Sequence, residues 1–128
     1  MKVTRFEDLE IWQLARELCK YVFKGTSREP FCSDFRFRDQ MRAVAGSSMD
    51  NIAEGFDRGG NKEFIQFLYV SKSSCAEVRS QSYRAFDQNY TNDEQLNKLL
   101  TRTDILSRKT SSLINHLRGT SYKGPKYY

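Results

Sequence analysis

The carboxyl-terminal part of the chain carries a heptad repeat, and this repeat restricts the possible folds more than any other feature. Apolar or small side chains recur there at alternating steps of three and four residues: Leu96, Leu99, Thr103, Leu106, Thr110, Leu113 and Leu117. This 3.5-residue period predicts a helix over about residues 92–118 with one continuous apolar seam. Because the seam must be buried, the helix requires other helices to pack against.

Three earlier segments have the same kind of periodicity. The first predicts a helix over about residues 7–24, whose apolar stripe includes Trp12, Val22 and Phe23 and which Gly25 ends. The second and third have small residues in the middle of their seams, which predicts that these two helices form a tight antiparallel hairpin. The predicted caps of the last three helices are, in chain order, Ser33 or Asp34, then Asn61, then a capping box of Thr91 and Glu94.

The fold class that follows is all-α, an antiparallel up-down-up-down four-helix bundle. Only Pro30 and Pro125 are prolines, and neither falls inside a periodic segment. We assign residues 1–119 to the bundle domain, and we predict that the basic, tyrosine-containing tail at 120–128 is disordered.

Several classes of protein are disfavoured by composition. No apolar run approaches the roughly 18–20 residues of a membrane span, and the amino terminus lacks a secretory signal, so we expect a cytoplasmic protein without membrane contact. The three cysteines, Cys19, Cys32 and Cys75, are odd in number and contain no CxxC pair. A disulfide framework or a thiolate metal site is therefore not expected.

Positive charge is concentrated in the second half of the chain. The net charge is +5; residues 1–64 hold 11 Lys/Arg and 11 Asp/Glu, whereas residues 65–128 hold 10 and 5, and no acid follows Asp104. Lysine and arginine displace counterions from phosphate backbones, and tyrosine rings stack on unpaired bases. We predict a nucleic-acid-binding surface made of Lys98, Arg102, Arg108, Lys109, Arg118, Lys123 and Lys126. The alternative is an ordinary solvated helix face followed by a tail.

A polar stretch, Asn51 to Arg58, interrupts the seam of the second helix. Asn51 and Glu54 lie on or beside this seam, where an unpaired amide or carboxylate costs on the order of 1–3 kcal/mol. We predict that they belong to one buried structural polar network: Arg42, Asn51, Glu54, Glu77 and Gln81. The alternative is a surface ion pair between Glu54 and Arg58, which are four residues apart.

Catalytic patterns are scarce. His116 is the single histidine, so a histidine acid–base pair has no second member, a His-dependent triad has no evident partners, and Glu-x-x-His is missing. A carboxylate centre of Glu54 and Glu77 is the one metal-site hypothesis left. We therefore predict a non-enzymatic protein with no catalytic residue, no metal and no cofactor.

The polar stretch also resembles a known family. Asn51-Ile52-Ala53-Glu54-Gly55-Phe56 with Arg58, followed by Glu63-Phe64 and Phe67-Leu68, is similar to the signature of the 23S rRNA intervening-sequence proteins. The resemblance covers about residues 4–118. It departs at the start of the second helix, where the usual Glu-x-Tyr/Phe-Gly-Leu is replaced by Asp34-Phe35-Arg36-Phe37-Arg38, so this corner can pack or bind differently.

The resemblance implies a four-helix bundle that assembles as a ring-like homopentamer. It also points to a relative, the accessory variability protein of diversity-generating retroelements, which looks like a basic partner of a reverse transcriptase and of RNA. Our leading hypothesis is an oligomeric bundle that binds RNA or another nucleic acid through the last helix and the tail. The alternative is a protein-interaction adaptor, for example for a reverse transcriptase, that does not touch nucleic acid.

Overall fold

The computed structural model describes residues 3–120, and these form four long helices without a strand. The helices are α1, Glu10–Thr26; α2, Phe35–Asp57; α3, Asn61–Asp87; and α4, Asp93–Arg118. Two short 3-10 helices, Phe6–Asp8 and Phe31–Ser33, precede α1 and α2. The prediction of an all-α four-helix bundle is confirmed. No helix within residues 3–120 is both long and apolar enough to span a membrane.

Each helix packs against its neighbours in the chain, and α1 also packs against α4. In every pair, residue numbers rise along one helix as they fall along the other. Two contacts show this for each pair. For α1 and α2 they are Cys19 to Ala45 and Thr26 to Arg42, and for α2 and α3 they are Ser48 to Ser71 and Ser47 to Ser74. For α3 and α4 they are Cys75 to Thr103 and Arg79 to Leu100, and for α1 and α4 they are Glu10 to Lys109 and Tyr21 to Arg102. The pairs therefore run antiparallel, in agreement with the up-and-down arrangement.

Two predicted helix starts are wrong by one residue. α4 begins with a capping box formed by Asn92 and Gln95, each of whose side chains accepts from the other's backbone N–H at 2.8 Å, so Thr91 is not the cap. α3 has Gly60 at its N-cap, and the side-chain amide of Asn61 donates instead to the Leu117 carbonyl at 3.4 Å. Asp34 caps α2 as expected, since its side chain accepts from the Phe37 N–H.

α2 and α3 approach each other closely, as the small residues of their seams predict. The Ser71 hydroxyl donates to the Ser48 carbonyl at 2.6 Å, and Gly55 lies against Phe67. Along α4, Leu113 is only half-buried, whereas Ile114 takes its place in the core. A straight helix repeats every 3.6 residues and drifts away from a 3.5-residue seam, which explains the change.

Candidate nucleic-acid interface

All five of the proposed cations that lie on α4 are exposed, and three of them share one face of the helix. Lys98, Arg102 and Lys109 follow one another along it, with Ile105 between them at 39 % exposure. A shallow, open groove of about 630 Å³ lies on this face and includes Lys98, Arg102 and Ile105. The predicted stripe is therefore present on the surface of the folded chain. Lys123 and Lys126 lie outside the described residues.

Three of these cations form ion pairs within the chain. Lys98 lies 4.0 Å from Glu94, Arg108 lies 2.5 Å from Asp104, and Lys109 lies 3.2 Å from Glu10 on α1. The hydrogen bond from Arg108 lowers the pKa of Asp104 below its usual value, so this pair is fully charged at neutral pH. The stripe is consequently less positive than the sequence of α4 alone implies.

The other two arginines of α4 rest on tyrosine rings. The guanidinium of Arg102 lies 5.0 Å from the ring centre of Tyr21, and that of Arg118 lies 5.3 Å from the ring centre of Tyr69 and also donates to its hydroxyl. Neither arginine has an ion pair with another residue in the 3–120 stretch. Burial raises the pKa of Tyr21, and Arg102 opposes this rise.

Stacked arginines recur elsewhere on the surface, and the sequence patterns did not lead us to them. Arg42 lies over Phe23 at 4.2 Å, Arg84 over Phe37 at 4.3 Å, and Arg38 over Phe35 at 5.0 Å. The Phe35 and Arg38 pair could have been found, because a spacing of three residues brings two side chains together on a helix. The other two pairs join different helices, and no local pattern signals them.

The buried network expected around Asn51 and Glu54 is not formed, and that prediction is wrong. The side chain of Glu54 is 57 % exposed and pairs with Arg58 at 3.3 Å, so the alternative of a surface ion pair is the one observed. Asn51 is half-buried and donates to the carbonyl and hydroxyl of Ser47 at 2.8 and 3.0 Å. Ser47 in turn contacts Ser74 on α3, which gives a small polar bridge between the two helices.

The other three members of the predicted network are separated. Arg42 donates to Thr26 and Ser27 on α1, Glu77 is exposed, and Gln81 is buried with neither amide atom bonded to another described residue. The reason is the direction of the side chains. Ile52, Gly55 and Phe56 face the core on α2, as Cys75 and Val78 do on α3, so Glu54 and Glu77 point outward.

The side chains that could bind a metal ion or act in catalysis are dispersed over the described part of the chain. Residues 3–120 contain no cluster of three or more His, Cys, Asp or Glu side chains that could hold a metal ion. Burial raises the pKa of both Cys19 and Cys75 to about 11, so these thiols stay protonated at neutral pH and are poor nucleophiles. His116 is exposed near the end of α4.

Comparison with known proteins agrees with the fold. A family model described as 23S rRNA-intervening sequence protein matches residues 7–112. A solved structure from Bacteroides thetaiotaomicron, described as a protein with unknown function from the S23 ribosomal protein family, superposes with a TM-score of 0.74. The alignment has 17 % identity and covers 81 % of this chain and 97 % of that one, so it shows likeness of fold alone. No curated protein matches the chain.

Proposed function

The chain belongs to the family of 23S rRNA-intervening sequence proteins, and on that premise we propose that it is a non-enzymatic bundle that binds RNA through cations of α4. The family and the similar solved structure have no known activity that would argue for an enzyme. Lys98, Arg102, Arg108, Lys109 and Arg118 form the proposed surface, and the sequence adds Lys123 and Lys126 beyond it.

The observation that carries the proposal is the arrangement of Arg102. Its guanidinium is held over Tyr21, is free of a carboxylate partner within residues 3–120, and lies one helical turn after Lys98. A guanidinium stacked on a ring keeps its N–H edge available, and that planar edge matches the oxygens of a phosphate. Stacking also limits its motion, so less entropy is lost when a phosphate binds.

The ion pairs of the neighbouring cations are compatible with phosphate binding. All three pairs are largely solvent-exposed, and such pairs contribute about 0–1 kcal/mol each. A polyanion can therefore replace an acid such as Glu94 or Asp104 at little cost. The remaining charge per chain is modest, and assembly of several copies would multiply it into a larger cationic surface.

Self-assembly is the second part of the proposal, and the outer face of α3 supports it. Tyr69, Val70 and Tyr83 are large exposed side chains on this one helix. Ser73, Ala76 and Ser80 lie between them and are small and uncharged. Burial of such a face against a second copy would remove apolar area from water. We propose the homopentamer implied by the family resemblance as the form that assembles.

Replacement of Arg102 by glutamine tests the RNA-binding proposal. We expect Arg102→Gln to weaken binding of a labelled, structured RNA by at least about fivefold at low salt, because it removes a charge-assisted hydrogen bond. Fluorescence anisotropy measures the affinity. Arg5→Gln is the matched control, since Arg5 is an exposed arginine paired with Glu7 and Asp8 before α1. No binding at low salt, or an equal loss in both variants, would contradict the proposal.

A protein-interaction adaptor is the second candidate, and the exposed α3 face favours it. The same tyrosines and valine could bind a neighbouring protein, such as a reverse transcriptase, in place of another copy. Affinity purification with and without nuclease separates the two functions. Loss of all partners after nuclease supports RNA binding, whereas retention of all of them supports the adaptor.

A further inference from the structure

We propose that the corner where α1 ends and α2 begins binds unpaired bases and phosphates of a single-stranded nucleic acid. We call this surface the α1–α2 corner and define it by Phe23, Ser27, Phe35, Arg38 and Arg42. The inference rests on the proposed function, since it names the form of nucleic acid that is bound. It adds a second contact site on helices other than α4.

Two exposed phenylalanines mark the corner. Phe35 is 66 % exposed and Phe23 is 58 % exposed, and no other large hydrophobic side chain in the described part of the chain is as open to solvent. Leaving such rings in water forgoes about 1.5–3 kcal/mol of burial each. Both rings have an arginine on one side and present remaining surface to solvent, which is the geometry that lets a base stack on them.

Arg42 is fixed in place at the centre of the corner. Its Nε donates to the Thr26 hydroxyl at 2.8 Å, and its Nη2 donates to the Ser27 hydroxyl at 3.0 Å. The Ser27 hydroxyl donates its hydrogen to the Phe23 carbonyl, and the Thr26 hydroxyl donates to the carbonyl of Val22 or of Phe23. Both hydroxyl oxygens therefore have lone pairs free to accept from the guanidinium. Two of the five N–H donors of Arg42 are thus used, and three are left for an anion.

The carboxylates around the corner are already engaged. Residues 23–42 contain five cations and three acids. Glu29 accepts from Ser33, Asp34 accepts from Tyr90, and Asp39 pairs with Arg38. Four of the cations have no ion pair with another described residue: Lys24, Arg28, Arg36 and Arg42. The corner therefore has positive charge available for a polyanion, and this charge complementarity selects a nucleic acid as its occupant.

The spacing of the groups suits a short extended strand. Phe35 and Arg42 are two helical turns apart on one side of α2, which is about 10 Å. Phe23 lies beside Arg42 on α1. A strand running along this line places bases on the two rings and a phosphate at the Arg42 guanidinium. A duplex cannot do this, because its bases are stacked on one another and its stacking faces are covered.

Binding of two matched oligomers tests the inference. One is a ten-nucleotide oligouridine, and the other has the same backbone with abasic spacers in place of the bases. We expect wild-type protein to bind the oligouridine more tightly. Phe23→Ala and Phe35→Ala should each weaken oligouridine binding by about 5-fold to 100-fold, the range for loss of one stacked base, and leave binding of the abasic oligomer unaffected.

The control variant is Gln13→Ala, which shortens an exposed side chain of α1 away from the α1–α2 corner, the α4 cations and the exposed α3 face, and should change neither affinity. Arg42→Gln should weaken binding of both oligomers, because Arg42 binds a phosphate, which both contain. Equal binding of the two oligomers, or phenylalanine variants that bind oligouridine like the wild type, would overturn the inference. A fall in the mass of the protein assembly in the phenylalanine variants, with unchanged nucleotide binding, would overturn it too and would assign the corner to a second copy of the chain.

The same experiment separates this inference from the proposed function. If Arg102→Gln weakens RNA binding while the phenylalanine variants do not, the inference is wrong and the proposed function stands. If wild-type protein binds neither oligomer and no structured RNA at low salt, both are wrong.

Discussion

Gly55 shows how the lack of a side chain at one position allows two helices to pack closely. It is buried on α2, and a Cβ at this position would overlap the Cβ of Phe67 on α3. Gly46 lies nine residues earlier in the same helix and has nothing within 4 Å of such an atom. The family signature includes Gly55, and the structure supplies a packing reason for it.

Substitution of these two glycines should therefore have opposite effects. Gly55→Ala should lower the free energy of unfolding by about 1–3 kcal/mol, since a well-packed core must shift to admit a methyl group. Gly46→Ala should raise it by up to about 1 kcal/mol, because alanine favours a helix interior. Urea denaturation measures both. A Gly55→Ala protein as stable as the wild type would show that α2 and α3 have room between them for a methyl group at this position.

The directions of the side chains around α2 were predicted wrongly from the sequence. Asn51 lies on the predicted 3.5-residue seam and Glu54 lies beside it, and we expected both side chains to be buried. The helix follows its 3.6-residue period, so Ile52 and Phe56 are buried and Glu54 faces solvent with Arg58. The stacking of Arg102 on Tyr21 could not have been found either, because it joins α1 to α4 across the sequence.

At the scale of elements, the sequence predicts the four helices well. The number of helices follows from four long amphipathic segments that contain no internal proline, and the small residues in two of the seams indicate which helices pair most closely. The boundaries are harder to predict because several capping residues stand in a row. Thr91 and Asn92 each precede a suitable partner three residues later, Glu94 or Gln95, and the asparagine box is the one that forms.

The start of α4 offers a direct test of that choice. Asn92→Ala should lower the free energy of unfolding by about 1 kcal/mol, since it leaves the Gln95 N–H without its side-chain acceptor. Thr91→Ala is the matched control and should cost less, because the Thr91 hydroxyl has no partner among residues 3–120. Thermal unfolding followed by circular dichroism measures both. A larger loss for Thr91→Ala would place the cap at the threonine that the sequence predicts.

At the scale of the whole molecule, charge is distributed differently from its order in the sequence. The second half of the chain holds all of the excess cations, but folding brings Glu10 of α1 to Lys109 of α4 and Tyr21 to Arg102. The electrostatic surface thus depends on contacts between distant segments, which composition cannot reveal. The division at residue 119 stays a prediction, since residues 121–128 are outside the described part.

The dependence of RNA binding on salt tests the central claim most directly. We expect affinity for a structured RNA to fall steeply between about 50 and 200 mM salt, because each bound phosphate releases counterions. In the variant with Arg102, Arg108, Lys109 and Arg118 all replaced by glutamine, the slope of log Kd against log salt should become shallower by about one for each phosphate that the variant no longer binds. No binding at low salt, or an unchanged slope in this variant, would contradict the assignment of α4 as the RNA-binding surface.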